Sequence, residues 1–346
     1  MASLKLEGIQ NLIRNAASYK VVEQRLREAQ RGTEEKFPVF SMDLLEAARP
    51  SVIAALQEDW GGPILVVAGK PERARLIVDQ VRTWSSQPNK VLQFHAPNTI
   101  FYDRAAWDPA TVHARVRTLS TLVASNREAR HDGGHNGVIV APIWALMTKS
   151  APPMAFRRGM KTLREGNVIP LYDLLEHCVR AGYEPAVMVQ EPGTFSHRGG
   201  IVDVFPPNHS LPLRIEFFGD EIDSIRTFDP ATQRSEEQID EAVLAPATEA
   251  LPEWGKAAAP SLEAMDLAHC NAETRQRMAE EREKIIAGGY FAGIEYYIPY
   301  LYPQSSTLLD YLPENALVLM DDVLALKSVA TELEEQALRL REEMVE

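Results

Sequence analysis

The sequence predicts an α/β chain in which a parallel-sheet domain is interrupted by a small inserted α+β domain. Three observations predict it. Short apolar runs alternate with helix-period segments up to about residue 150, the pattern of a parallel sheet flanked by helices. Beyond Pro152-Pro153, strand-sized runs follow one another with only tight turns between them. One further apolar run, at 316–320, has no sheet of its own nearby and is expected to join the first.

Taken in order, Leu6, Ile9, Leu12 and Ile13 recur at helical spacing, and 44–56 marks a second helix with Ser41 as its expected N-cap. Gly61-Gly62-Pro63 ends it. The β-branched run Ile64-Leu65-Val66-Val67 is a strand buried on both faces, and Gly69-Lys70-Pro71-Glu72 turns into a helix whose inner stripe is Ala74, Ile77, Val78 and Val81. Runs at 91–94 and 137–141 are two more buried strands, with a helix at 112–125 between them. In the insert, 171–181 is a helix closed by Gly182. Gly199-Gly200 then introduces 201–205, Pro206-Pro207-Asn208 turns into 213–218, and Gly219-Asp220 turns into 222–228, forming an antiparallel meander. Ile222 and Ile225 have opposite parity, so a bulge is expected in that third strand. The stretch 246–260 reads as a Pro/Ala-rich linker, followed by a charged helix at 274–287, an aromatic segment at 290–302 and the buried strand 316–320. The last helix carries Leu326, Val329, Leu333, Ala337, Leu340 and Met344 on one stripe and reaches the C-terminus without a cap, as expected of a piece of something longer.

Composition narrows the function classes. At 346 residues the chain has room for roughly two to three domains. Its 36 basic and 49 acidic residues leave a net charge of −13, a poor match for binding duplex DNA with the whole surface. Two cysteines, Cys178 and Cys270, are too few for a disulfide framework or a four-ligand zinc site, which points to a reducing, cytoplasmic setting. No apolar run is long enough to span a membrane.

Gly69-Lys70 sits where a phosphate-binding loop would sit, between a buried strand and a helix. Such a loop needs glycines so that backbone N–H groups can reach the phosphates, and a hydroxyl after the lysine for magnesium. Here Pro71 removes an N–H, Glu72 adds a negative charge, and Ile64 stands where the first glycine should be. The residues speak against an ATPase. Asp321-Asp322 follows a strand, as the carboxylates of a nucleotide hydrolase would, but lacks a competent loop and is expected to begin the turn into the last helix. His131 and His135 are separated by Asp132-Gly133-Gly134, which denies a helix, so a solvated loop is expected rather than a metal site. Cys178 reads as core. On the second meander strand Leu213, Ile215 and Phe217 share one face, leaving Arg214, Glu216 and Phe218 on the other, with Arg198 aimed at the same region. Arginine and aromatic side chains dominate interface energetics, so this row fits a protein interface; an ordinary wet sheet face would show the same pattern.

The run Gly193-Thr194-Phe195-Ser196-His197-Arg198-Gly199-Gly200-Ile201-Val202-Asp203-Val204-Phe205-Pro206-Pro207 resembles a signature shared by the bacterial transcription-repair coupling factors (Mfd) and the excision-repair protein UvrB. It continues through 213–226 and 228–230 to Gln233-Arg234-Ser235, and the segments 293–299 and 308–313 resemble the coupling factors in particular. The resemblance implies a degenerate, UvrB-like and helicase-like parallel-sheet domain built from 1–150 and 245–346, the latter including a C-terminal linker helix. It implies an inserted domain at 151–244 that binds the damage-recognition ATPase UvrA. The contact positions it implies are Arg198, Arg214, Glu216 and Phe218. UvrB carries further arginines where this chain has Ser196 and Pro185, so a smaller charged surface is expected.

The same resemblance places the RNA-polymerase-binding domain and the DNA-translocating, ATP- and magnesium-dependent motor outside these residues. The chain is then expected to need no cofactor and to act by recruiting UvrA to stalled transcription complexes in nucleotide excision repair. The alternative is a UvrB-like, ATP-dependent DNA-unwinding subunit using Gly69 and Lys70. An outward-pointing Arg198 or Arg214 is expected to be removable without loss of stability.

Overall fold

A computed structural model describes residues 6–30, 39–99, 101, 104–128, 137–268, 270–304 and 306–345; His131 and His135 lie outside them. The first part of the chain forms α1 (Glu7–Asn15), α2 (Ala17–Gln30), α3 (Arg49–Trp60), β1 (Ile64–Ala68), α4 (Pro71–Trp84), β2 (Val91–Gln93), α5 (Pro109–Glu128), β3 (Val138–Pro142) and α6 (Ile143–Met147). The middle forms α7 (Pro153–Arg158), β4 (Lys161–Arg164), α8 (Leu171–Arg180), β5 (Glu184–Pro185), β6 (Thr194–Arg198), β7 (Ile201–Val204), β8 (Leu213–Phe218), β9 (Glu221–Phe228), β10 (Ser235–Gln238) and β11 (Glu241–Leu244). The last part forms α9 (Gly255–Glu263), α10 (Ala272–Ile286), α11 (Ile298–Leu301), β12 (Leu317–Met320) and α12 (Val323–Val345). No helix among the described residues is long and apolar enough to cross a membrane.

Two compact units result. One draws on Met1–His95, Ala124–Ala145 and Leu312–Glu332, the other on Ala96–Val123, Leu146–Tyr311 and Leu333–Glu346. In the first, β12, β1, β3 and β2 form a parallel sheet in that order. Ile64, Val66, Ala68, Val138 and Val140 on one sheet face pack with Val52, Ile53, Ala55 and Leu56 of α3 and with Ala74, Ile77, Val78 and Val81 of α4. The expected inner stripe of α4 is therefore the observed one. The strand at 317–320 does join this sheet, pairing Ile64 with Leu317 through Val67 with Met320. It is not buried, however. As an edge strand it alternates between half-buried and exposed, with Val318 and Met320 open to water. The helix expected at 44–56 begins instead at Arg49, because Pro50 suits the first turn, where its missing N–H goes unneeded; Ser41 caps nothing.

In the second unit the expected three-stranded meander is the centre of a six-stranded sheet, ordered β10–β9–β8–β7–β6–β5, all antiparallel except the short β5–β6 pair. A separate two-stranded sheet pairs β11 with β4. The expected bulge is present: Glu216 faces Ser224 while the next residue, Phe217, faces Ile222, leaving Asp223 unpaired. Helix α8 covers one face of the six-stranded sheet. Its Leu174 and Cys178 pack with Phe195, Val202, Val204, Leu213, Ile215, Ile222 and Ile225, and burial pushes the Cys178 thiol up to about 12. The stretch expected as a linker contains helix α9, which buries Ala258 and Leu262 and brings Gly255 so close to the Ile285 carbonyl of α10 that no Cβ would fit.

With α8 fixing one sheet face, the other is left to display side chains. Leu174→Ala, at a fully buried position, is expected to cost about 3 kcal/mol. Val179→Ala on the exposed side of the same helix should change stability by less than about 0.5 kcal/mol. Thermal or urea unfolding of both variants reads the difference.

Candidate functional site

Gly199 adopts φ +61°, which an L side chain disfavours, and it makes the tight turn that joins β6 to β7. At Gly200 a Cβ would stand 2.9 Å from the Phe217 carbonyl oxygen, so glycine is needed there for β8 to close on β7. The turn sets the register. Ser196 lies opposite Asp203, Asp203 opposite Arg214, and Arg214 opposite Arg226. One residue row along, Arg198 lies opposite Ile201, Ile201 opposite Glu216, and Glu216 opposite Ser224. All of these share the sheet face away from α8.

Asp203 organises this face. Its side chain is 2% exposed and accepts from Arg214 with both oxygens, from Nε at 2.8 Å and Nη2 at 2.9 Å. Arg198 Nη2 approaches the same carboxylate at 3.5 Å. Arg214 is only 15% exposed. Its Nη1 donates to the Gln233 carbonyl at 3.2 Å, and its guanidinium lies 4.7 Å from the centre of the buried Phe228 ring. The hydrogen bond to Asp203, opposed in part by burial, raises the pKa of Arg214 above the usual arginine value.

The four candidate contacts therefore differ. Arg198 is 67% exposed and Phe218, at the end of β8, is 81% exposed. Glu216 is half-buried and accepts from Ser224 Oγ at 3.2 Å. Arg214 does not project freely as the alternation of β8 implies, because Asp203 and the returning chain at Gln233 take up its donors. Asp203 holds Arg214. Of the positions where UvrB has further arginines, Ser196 is buried and Pro185 is exposed on β5. Asp203 was discoverable: it lies between inward-facing Val202 and Val204, so it must face the same side as Arg214 once the turn at Gly199-Gly200 sets the pairing.

In the first unit, Gly69 and Lys70 connect β1 to α4, with Pro71 and Glu72 in the first helical turn. Lys70 is exposed. The place where a Gly69 Cβ would be lies 3.6 Å from Val329 Cγ2, so α12 crosses this loop. The Asp321 carboxylate at the end of β12 receives Arg73 Nε at 2.7 Å, Arg73 Nη2 at 3.0 Å and Arg49 Nη1 at 2.8 Å. Burial acts to raise its pKa, and the two arginines more than reverse that, holding it below the usual carboxylate range. Asp322 caps α12, its Oδ1 accepting from the N–H groups of Leu324 and Ala325 at 3.0 Å. Both carboxylates are thus engaged within the fold.

Residues 162–249 match the family model of the UvrB interaction domain. The chain is 26% identical over 341 residues to the transcription-repair-coupling factor of Bacillus subtilis, covering 96% of this chain and 28% of the relative. It is 29% identical over 339 residues to that of Myxococcus xanthus, covering 93% and 26%, and 27% identical over 277 residues to that of Escherichia coli, covering 80% and 23%. The chain therefore spans about a quarter of the length of these relatives. The resemblance read from the signature beginning at Gly193 is borne out, and it extends along most of the chain.

Arg214→Ala leaves the Asp203 carboxylate buried with only the exposed end of Arg198, at 3.5 Å, for a counter-charge. It is expected to destabilise the chain by about 3 kcal/mol, against less than about 0.5 kcal/mol for Arg198→Ala. Chemical denaturation of the two variants side by side checks this difference.

Proposed function

We propose that this chain is a non-catalytic interaction module of a transcription-repair coupling factor, and that its inserted domain recruits UvrA to stalled transcription complexes. One coincidence carries the reading: the segment that matches the UvrB interaction domain presents, on its face away from α8, the exposed Arg198 and Phe218. Phe218 supplies a large apolar anchor at a solvent-exposed strand end, and Arg198 a charge-bearing fork suited to a carboxylate. Arg214 and Asp203 shape the face from beneath, and Glu216 sits on β8 two residues before Phe218.

The first unit serves as a scaffold in this reading. Pro71 and Glu72 oppose phosphate binding, α12 crosses the loop, and Arg49 and Arg73 occupy Asp321. ATP hydrolysis, DNA translocation and RNA polymerase binding then belong to other parts of a longer protein.

Phe218→Ala and Arg198→Ala are each expected to weaken UvrA binding by about 2 kcal/mol, about thirtyfold in Kd, with the melting temperature unchanged. Calorimetric titration with UvrA measures this, and undiminished binding by both variants would overturn the assignment of the face. Titration of the chain with ATP and magnesium is expected to give no binding heat; a saturable heat would instead support a working nucleotide site at Gly69-Lys70.

A further inference from the structure

Arg226 of β9 stands directly opposite Arg214 on the partner-binding face, with Gln238 of β10 on its other side. Like charges directly opposite one another across strands are unfavourable. The one buried carboxylate in this row, Asp203, already gives both oxygens to Arg214, and Gln238 turns its amide to Glu165. Arg226 Nε is shielded from water and makes no hydrogen bond. Such a donor is rare in a folded protein and costs stability until something accepts from it. The residue is only half-buried, so rotation of its long side chain can carry the guanidinium outward.

We propose that Arg226 is a further contact residue of this face and that it takes a carboxylate presented by the partner. Arg198, Arg214 and Arg226 share this face with Asp203, Glu216, Glu221 and Glu184, and of the three arginines Arg214 alone is bonded by a carboxylate at two points. Arg198 and Arg226 lie three strand spacings apart and two residues out of register, about 16 Å at ordinary strand geometry, with the internally neutralised Arg214 on a strand between them. The complementary partner surface carries acidic groups at a similar separation. This inference rests on the reading that the face binds UvrA and adds to it the chemistry of the surface it meets.

The test uses the full chain, UvrA, and the variants Arg226→Gln, Arg226→Lys and Arg198→Ala, each titrated at low and moderate salt and each melted alone. Arg226→Gln is expected to weaken binding about tenfold and to flatten its salt dependence, and Arg226→Lys to restore part of the loss. Its melting temperature alone should equal or exceed that of the parent, since a like-charge pair and an unbonded donor have been removed. A melting temperature that falls by several degrees would make Arg226 a structural residue and overturn the proposal. Unchanged binding by Arg226→Gln, where Arg198→Ala binds weakly, would overturn the role of Arg226 and leave the UvrA reading standing. Absence of binding by the parent chain would remove both.

Discussion

The carboxylate of Asp203 is the contact on which the candidate face depends. It is nearly inaccessible to water, and a charge so placed is stable only with a well-aligned counter-charge. Arg214 supplies one through a two-point fork, and the ring of Phe228 beneath it supplies further attraction. Arg198 can then lie loosely at the margin of the same carboxylate, with its charge turned to solvent. Without Asp203 the arginines of β6, β8 and β9 would repel one another on a single face.

The device explains why residues of one motif play unlike parts. Arg214 is held and shapes the sheet face, while Arg198 and Phe218 remain largely exposed to solvent. A row that alternation alone presents as three equivalent outward side chains separates into a bonded, mostly covered Arg214 and an open Phe218. Glu216 is intermediate, tied to Ser224 but still half-open.

Asp321 repeats the principle in the other unit. A carboxylate at the end of a parallel strand could serve a metal or a water; here Arg73 and Arg49 occupy it, and Glu46 adds a further ion pair to Arg73. Pro71 contributes no N–H to the start of α4, and Val329 lies against Gly69.

Much of this was legible from the residues. Runs such as Ile64–Ala68 are too apolar and β-branched to be anything but inner strands, Pro71 announces the start of α4, and Gly199-Gly200 announces the turn that sets the register. Local chemistry determines these features, because each depends on a residue and its immediate neighbours. The edge position of β12, the helix within the Pro/Ala-rich stretch at 246–260, and the engagement of Arg214 and Asp321 by partners up to 272 residues away were decided only in three dimensions. Whether a charged side chain faces water or a counter-charge depends on which distant strands and helices close over it, and no spacing along the chain encodes that meeting.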